Sequence, residues 1–161
     1  MYRRILIPID GSSTSESGLD EAMRLAFLHD GVIRLICIVQ ALPSSWAMGI
    51  NCYFPAEIRT LLREHAAELL RNAATRVRAN CIAADSALLE AGERTFEECL
   101  AAEARAWEAD LIVIGAHRLR DVRRMPMANP APDLSRGAAV PLLLVREAAP
   151  NAVQPLVNSW R

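Results

Sequence analysis

Short apolar runs rich in β-branched residues alternate along this chain with longer stretches whose apolar residues recur every three or four positions. The first run, Arg4 to Ile9, predicts a strand buried on both faces that ends at Asp10-Gly11-Ser12. Ser12, Ser13 or Thr14 suits the N-cap of a following helix, with acidic Glu16 in its first turns. Leu19, Ala22, Met23, Ala26 and Phe27 give that helix one apolar face, and His29-Asp30-Gly31 is its stop signal. Val32 to Val39 (VIRLICIV) is the second predicted strand. Residues 41–55 break the periodicity with two prolines, a glycine and several large apolar side chains. A loop is expected there. Its Trp46, Met48, Tyr53 and Phe54 are expected to fold down on the domain, the alternative being a ligand or partner surface.

Pro55 suits the first turn of the next helix, along which Ile58, Leu61, Leu62, His65, Leu69, Ala73 and Val77 recur toward Ala79. His65 reads as a core-edge histidine in this row. Glu57, Arg59, Arg63, Glu64, Glu68 and Arg71 read as a solvated face with i,i+4 pairs. Asp85 to Ala91 is a weaker strand. Thr95 is placed to cap a helix reaching about Trp107, with Phe96, Cys99, Leu100, Ala104 and Trp107 inward. Asp110 precedes the most hydrophobic strand, Leu111 to Ile114, which ends at Gly115. After an arginine- and proline-rich stretch, a short helix from about Pro132 to Gly137 leads to a last strand, Leu142 to Val145. The order predicts an α/β fold: a five-stranded, mostly parallel open sheet with helices on both faces, Rossmann-like. Residues 1–146 form one domain, and 147–161 a tail without a clear element. In such sheets a ligand site lies at the carboxyl ends of the strands, here Asp10, the segment after Val39, and Gly115 with its loop.

Composition narrows the function classes. At 161 residues with 52% apolar and 23% charged, the chain has enough apolar content for one packed core. A formal net charge of −1 supplies no overall field for nucleic acid or an anionic membrane. The apolar run at the N-terminus is too short for a signal peptide, so a cytoplasmic location is expected. All eighteen basic residues are arginine, which excludes Schiff-base chemistry and a lysine-dependent phosphate loop. Cys37, Cys52, Cys81 and Cys99 show no CxxC pair and no metal-ligand spacing, so they read as packing or incidental residues, and no metal is expected.

Three stretches together resemble the universal stress protein family: ILIPIDGSSTSE at residues 5–16, ADLIVIGAHR at 109–118, and VPLLLVR at 140–146. The resemblance, in register over about residues 2–146, implies an adenine nucleotide alpha hydrolase-like fold and a non-catalytic stress-response protein acting by binding. It also implies a homodimer through the last strand, Leu142 to Val145. The nucleotide-binding branch of the family carries Gly-x-x-Gly, a nine-residue spacer, and Gly-Ser or Gly-Thr at the start of the last helix. Glycines and a helix N-terminus there suit phosphate, while an aspartate after the first strand contacts the nucleoside end.

Laid on this chain, that pattern puts Gly115 at the first position, Arg118 at the second glycine, and Ala128-Asn129 at Gly-Ser after residues 119–127. Pro130 follows and has no N–H to offer a phosphate. The candidate nucleotide-binding set is therefore Pro8, Ile9, Asp10, Ile38, Gly115, His117, Arg118, Ala128 and Asn129. Two readings follow. In one, the loop is a solvated basic segment and family-type ATP binding is lost. In the other, the guanidinium forks of Arg118, Arg120, Arg123 and Arg124 replace backbone amides around ATP or AMP. His117 reads as a turn residue, since no Ser/His/Asp or Cys/His set accompanies it, and no catalytic residue is assigned.

Overall fold

Strand β1 (Arg4–Pro8) pairs with β2 (Val32–Val39) on one side and with β4 (Leu111–Ala116) on the other. Strand β3 (Ala83–Glu90) adds outside β2, and β5 (Leu142–Arg146) outside β4. A computed structural model describes residues 2–39, 56–116 and 140–146 of the chain. All four pairings are parallel and the strand order is β3-β2-β1-β4-β5. The order reverses between β1 and β4, since the chain builds outward from β1 first to one side and then to the other.

Alternation along the strands sends their side chains into two cores. Ile5, Ile7, Ile9, Ile33, Leu35, Leu111 and Val113 face α1 (Ser13–His29) and α2 (Ala56–Ala79). Leu6, Ile36, Ile112 and Ile114 face α3 (Phe96–Ala106), which inserts Leu100, Ala101 and Ala104. Burial on both faces is why β1 and β4 read as continuous apolar runs. The helices begin where side chains satisfy their first N–H groups. Ser12 caps α1, and Thr95 caps α3 in a reciprocal box with Glu98. Asp30 ends α1 in a left-handed conformation, and its N–H donates to Ala26.

The expected helical faces need correction at two places. Phe27 is 73% exposed, because it lies about 100° around α1 from the buried Ala26 and so points along the flank. On α2, Ile58, Leu61, Leu62 and His65 are exposed, and burial begins at Ala66. Geometry explains it: 24 helical residues span about 36 Å, whereas the eight of β2 or β3 span about 26 Å. The N-terminal part of α2 overhangs the carboxyl edge of the sheet. From that overhang Arg63 pairs with Glu90 at the end of β3 (2.5 Å), a link across elements. β3 runs two residues earlier than expected, since Ala83 and Ala84 already pair with Val32 and Ile33.

The opposite, amino-terminal edge is closed by charge. The Asp110 carboxylate accepts from the N–H groups of Arg3 (2.7 Å) and Arg4 (3.0 Å), while its own N–H donates to Arg4 O (2.9 Å). One residue thus ties the start of β4 to the start of β1. On the α3 face, Arg34 pairs with Asp85 and with Glu103 (2.7 Å). The Trp107 ring lies 4.8 Å from the Arg4 guanidinium and 5.8 Å from that of Arg34. Stacking of this kind lets an arginine lie against an aromatic face in a half-buried position while keeping its charge paired.

Asp110→Ala should cost about 2 kcal/mol, the range for a charge-assisted bond lost with two backbone donors left behind. In thermal unfolding that is a drop of roughly 4–8 °C. Asp110→Asn, which keeps an acceptor, should lose less; equal losses for the two variants would contradict this role.

Candidate functional site

Parallel strands leave their carboxyl ends on one edge, and at the reversal of strand order the flanking connections diverge and open a crevice. Here that point lies between β1 and β4, and the first turn of α1 rises beside it. Among the predicted site residues, Pro8, Ile9 and Asp10 follow one another out of β1. Ile38 is near the end of the adjacent β2, and Gly115 near the end of β4 on the other side. The fold therefore brings these five to one edge. Ile9 buries its side chain in the core and extends the pairing by donating its N–H to Ile36 O (2.8 Å). Pro8 and Ile38 are half-buried, and Asp10 is exposed. His117, Arg118, Ala128 and Asn129 lie outside the described residues, as do the 41–55 loop and the tail.

Asp10 is held by its own turn. The Ser12 N–H and the Ser12 hydroxyl both donate to Asp10 Oδ1, at 2.9 and 2.6 Å. Gly11 makes the turn possible with φ +79°, a region costly for residues with a Cβ, and Leu69 of α2 packs over it. Ser12 then serves the helix as well, since its Oγ accepts from Ser15 N–H (3.2 Å).

Gly115 has a packing reason of its own. A Cβ there would overlap the carbonyl of Thr14 and come within 2.8 Å of Ser15 N. Gly18, one turn along α1, completes the approach: a Cβ on it would lie 3.0 Å from Gly115 N. Helix α1 crosses β4 at backbone contact, which only glycine permits. A glycine near the end of β4 is thus required whether or not a phosphate ever binds beside it. The sequence marks Thr14 only as a candidate N-cap and does not mark Gly18; the available signal is a glycine inside a helical pattern, which points to close packing.

Beneath the turn, Cys37 of β2 is 8% exposed. Burial pushes its thiol above 9.0, and the nearby Asp10 charge pushes it further the same way. Cys99 is also buried and Cys81 exposed, which fits packing or incidental roles for these thiols. Among the described residues no group of three His, Cys, Asp or Glu is placed to hold a metal ion. None of the described helices is long and apolar enough to cross a membrane.

The sign of the Cys37 effect is fixed. The folded state keeps the thiol proton longer than the unfolded chain, so its contribution to stability is complete below the unfolded value and fades as pH rises through the folded one. Cys37→Ala should flatten the alkaline limb of a stability–pH curve above about pH 9. In native protein at pH 8 a thiol reagent should modify Cys81 well before Cys37; equal labelling would count against this placement.

The same fold occurs in known proteins. The model of the universal stress protein family matches residues 1–146. Universal stress protein YxiE of Bacillus subtilis is 23% identical over 151 residues, covering 91% of this chain and all of that protein. A crystal structure from the same family in Burkholderia pseudomallei superposes with a TM-score of 0.71 at 27% identity, covering 89% of this chain and 96% of that one. A universal stress protein of Lactobacillus plantarum superposes at 0.69 with 19% identity, over 90% and 98% of the two chains. With its parallel five-stranded sheet, its Asp-Gly-Ser turn and a family match over nearly its whole length, this chain belongs to the universal stress protein family.

Proposed function

We propose that the protein is a non-catalytic, cytoplasmic stress-response protein that acts by binding, as a homodimer formed through β5 and without a family-type ATP cradle. The observation that carries this reading is the outer edge of β5, which no described strand covers. Ile112 N–H donates to Pro141 O, and the register pairs Ile112 with Leu142. Main-chain groups of successive residues point to opposite sides, so those of Leu142, Leu144 and Arg146 turn away from β4. Among the described residues nothing pairs with that edge, and the Leu144 side chain is 46% exposed. An unpaired, apolar edge favours a second strand, and an identical copy related by a two-fold axis supplies one.

Loss of the family-type cradle is supported from both sides. The sequence lacks the second glycine and the Gly-Ser pair, and Gly115, which remains, is required by the packing of α1. A catalytic role gains no support, since the Asp10 turn and its neighbours present a carboxylate and hydroxyls without a partnered base or a metal set among the described residues.

A second reading is favoured by the position of Asp10 with Pro8 and Ile38 at the carboxyl edge, beside the switch point. In it the nucleoside end of the site is retained while the phosphate end is not, and an adenine nucleotide with few phosphates binds. Universal stress proteins of the same fold have been crystallised with cAMP (16% identity, TM-score 0.61) and, from Archaeoglobus fulgidus, with dAMP (20%, 0.59).

Leu144→Pro should convert a dimer to a monomer in sedimentation while leaving the β4–β5 ladder intact, because the donor it removes faces the outer edge. A dimer that persists in folded Leu144→Pro would move the interface elsewhere. Thermal-shift titration with AMP, ADP and ATP, with and without magnesium, tests the ligand. A ligand at 100 times its dissociation constant adds roughly 2.7 kcal/mol. No shift with any of them would leave the binding function to protein partners; a shift with AMP at least as large as with ATP would support the second reading.

A further inference from the structure

We infer that Ser12 is a positioning residue for the ligand, acting through Asp10; this rests on the second reading above. Ser12 Oγ makes three contacts: Asp10 Oδ1 at 2.6 Å, Ser15 N at 3.2 Å and Thr14 Oγ1 at 3.0 Å. A hydroxyl has one proton and two lone pairs. The carboxylate can only accept, so the Ser12 proton goes to Asp10. The Ser15 N–H can only donate, so one lone pair is taken. The remaining lone pair accepts the Thr14 hydroxyl proton. The direction of every bond in the chain Thr14 to Ser12 to Asp10 is thereby fixed, and the Ser12 hydroxyl is fully used.

Two bonds from one residue, hydroxyl and backbone N–H, converge on a single carboxylate oxygen. They fix the rotation of the Asp10 side chain at the exposed carboxyl edge of the sheet. The anchor of this clamp is rigid, since Thr14 is buried and its carbonyl lies against Gly115 of β4. Asp10, on the β1 side of the switch point, is therefore oriented by a helix turn seated on β4. A carboxylate held in this way is an acceptor of set direction, and the ligand group it selects is a donor: a sugar hydroxyl or amino group of a nucleoside.

Capping and positioning separate by substitution. Threonine keeps both the cap and the hydroxyl donor, aspartate keeps the cap but has no proton to give Asp10, and alanine loses both. Calorimetric titration with adenosine and with AMP, together with melting curves, reads the two roles apart. Wild type should bind both ligands. Ser12→Thr should stay within about twofold of wild type and Ser12→Ala should be weaker by roughly tenfold, the scale of one charge-assisted hydrogen bond. Ser12→Asp should melt near wild type yet lose adenosine and AMP alike. Wild-type affinity in Ser12→Asp, or affinities that merely follow melting temperature, would overturn the positioning role. A loss confined to AMP would also overturn it, since that reports repulsion of the phosphate. Absence of binding to wild type removes the nucleotide reading itself, and is seen before any variant is made.

Discussion

The first turn of α1 is wedged against the end of β4 at backbone distance, and the rest of the molecule is arranged around that contact. Gly115 and Gly18 supply the missing side chains, and Thr14 is buried in the seam. Because α1 starts from β1 and lands on β4, it bridges the two strands between which the sheet reverses. At the other end of the same pair, Asp110 fastens the start of β4 to the backbone of Arg3 and Arg4. The central strands are thus pinned at both ends, once by packing without side chains and once by a carboxylate on two N–H groups. The outer strands β3 and β5 then add to a fixed frame.

Polar groups sit where the two cores run out. On the amino-terminal edge, Arg4 and Arg34 flank Trp107, and Glu103 and Asp85 answer the charge of Arg34. The Arg34 Nε–Glu103 approach is close, but its N–H is not aligned for a hydrogen bond. Half-buried ion pairs of this sort contribute little net stability, because desolvation offsets the attraction. Their effect is to hold one register: Arg34 joins β2 to β3 and to α3. On α1, Arg76 of α2 does the same by reaching Glu16 (2.5 Å) and Asp20.

At the carboxyl edge, the two residues that match the family's nucleotide motif and lie among the described residues have structural duties. Gly115 is demanded by α1, and Asp10 closes the turn that caps α1. Family membership carries the fold with it; the proposed loss of the ATP cradle rests on the sequence, where Arg118 and Ala128-Asn129-Pro130 stand at the family's glycine positions. What the turn itself presents is a carboxylate oriented by a hydroxyl whose bonds all have defined directions.

Much of this was legible in the residues alone. The strands showed themselves because both faces of a parallel sheet are buried, so that RILIP, VIRLICIV and LIVIGA need almost no polar positions. Helix starts were legible where a local bond decides them, as at Ser12 and Thr95. The Asp-Gly-Ser turn and the glycine at the end of the most apolar run marked the carboxyl edge of the sheet. Other features depend on distances between elements far apart in sequence. The periodicity of α2 marked Ile58, Leu61 and Leu62 as inward, but the helix outruns the strands it covers, and only the assembled sheet sets where that happens. Asp110 shows no partner in sequence, because the N–H groups it binds are more than a hundred residues away. Gly115 matched a phosphate motif by spacing, whereas its first requirement comes from a helix that begins a hundred residues earlier. Local bonding and two-sided burial are written in neighbouring residues; close approach between distant backbones is decided only when the sheet brings them together.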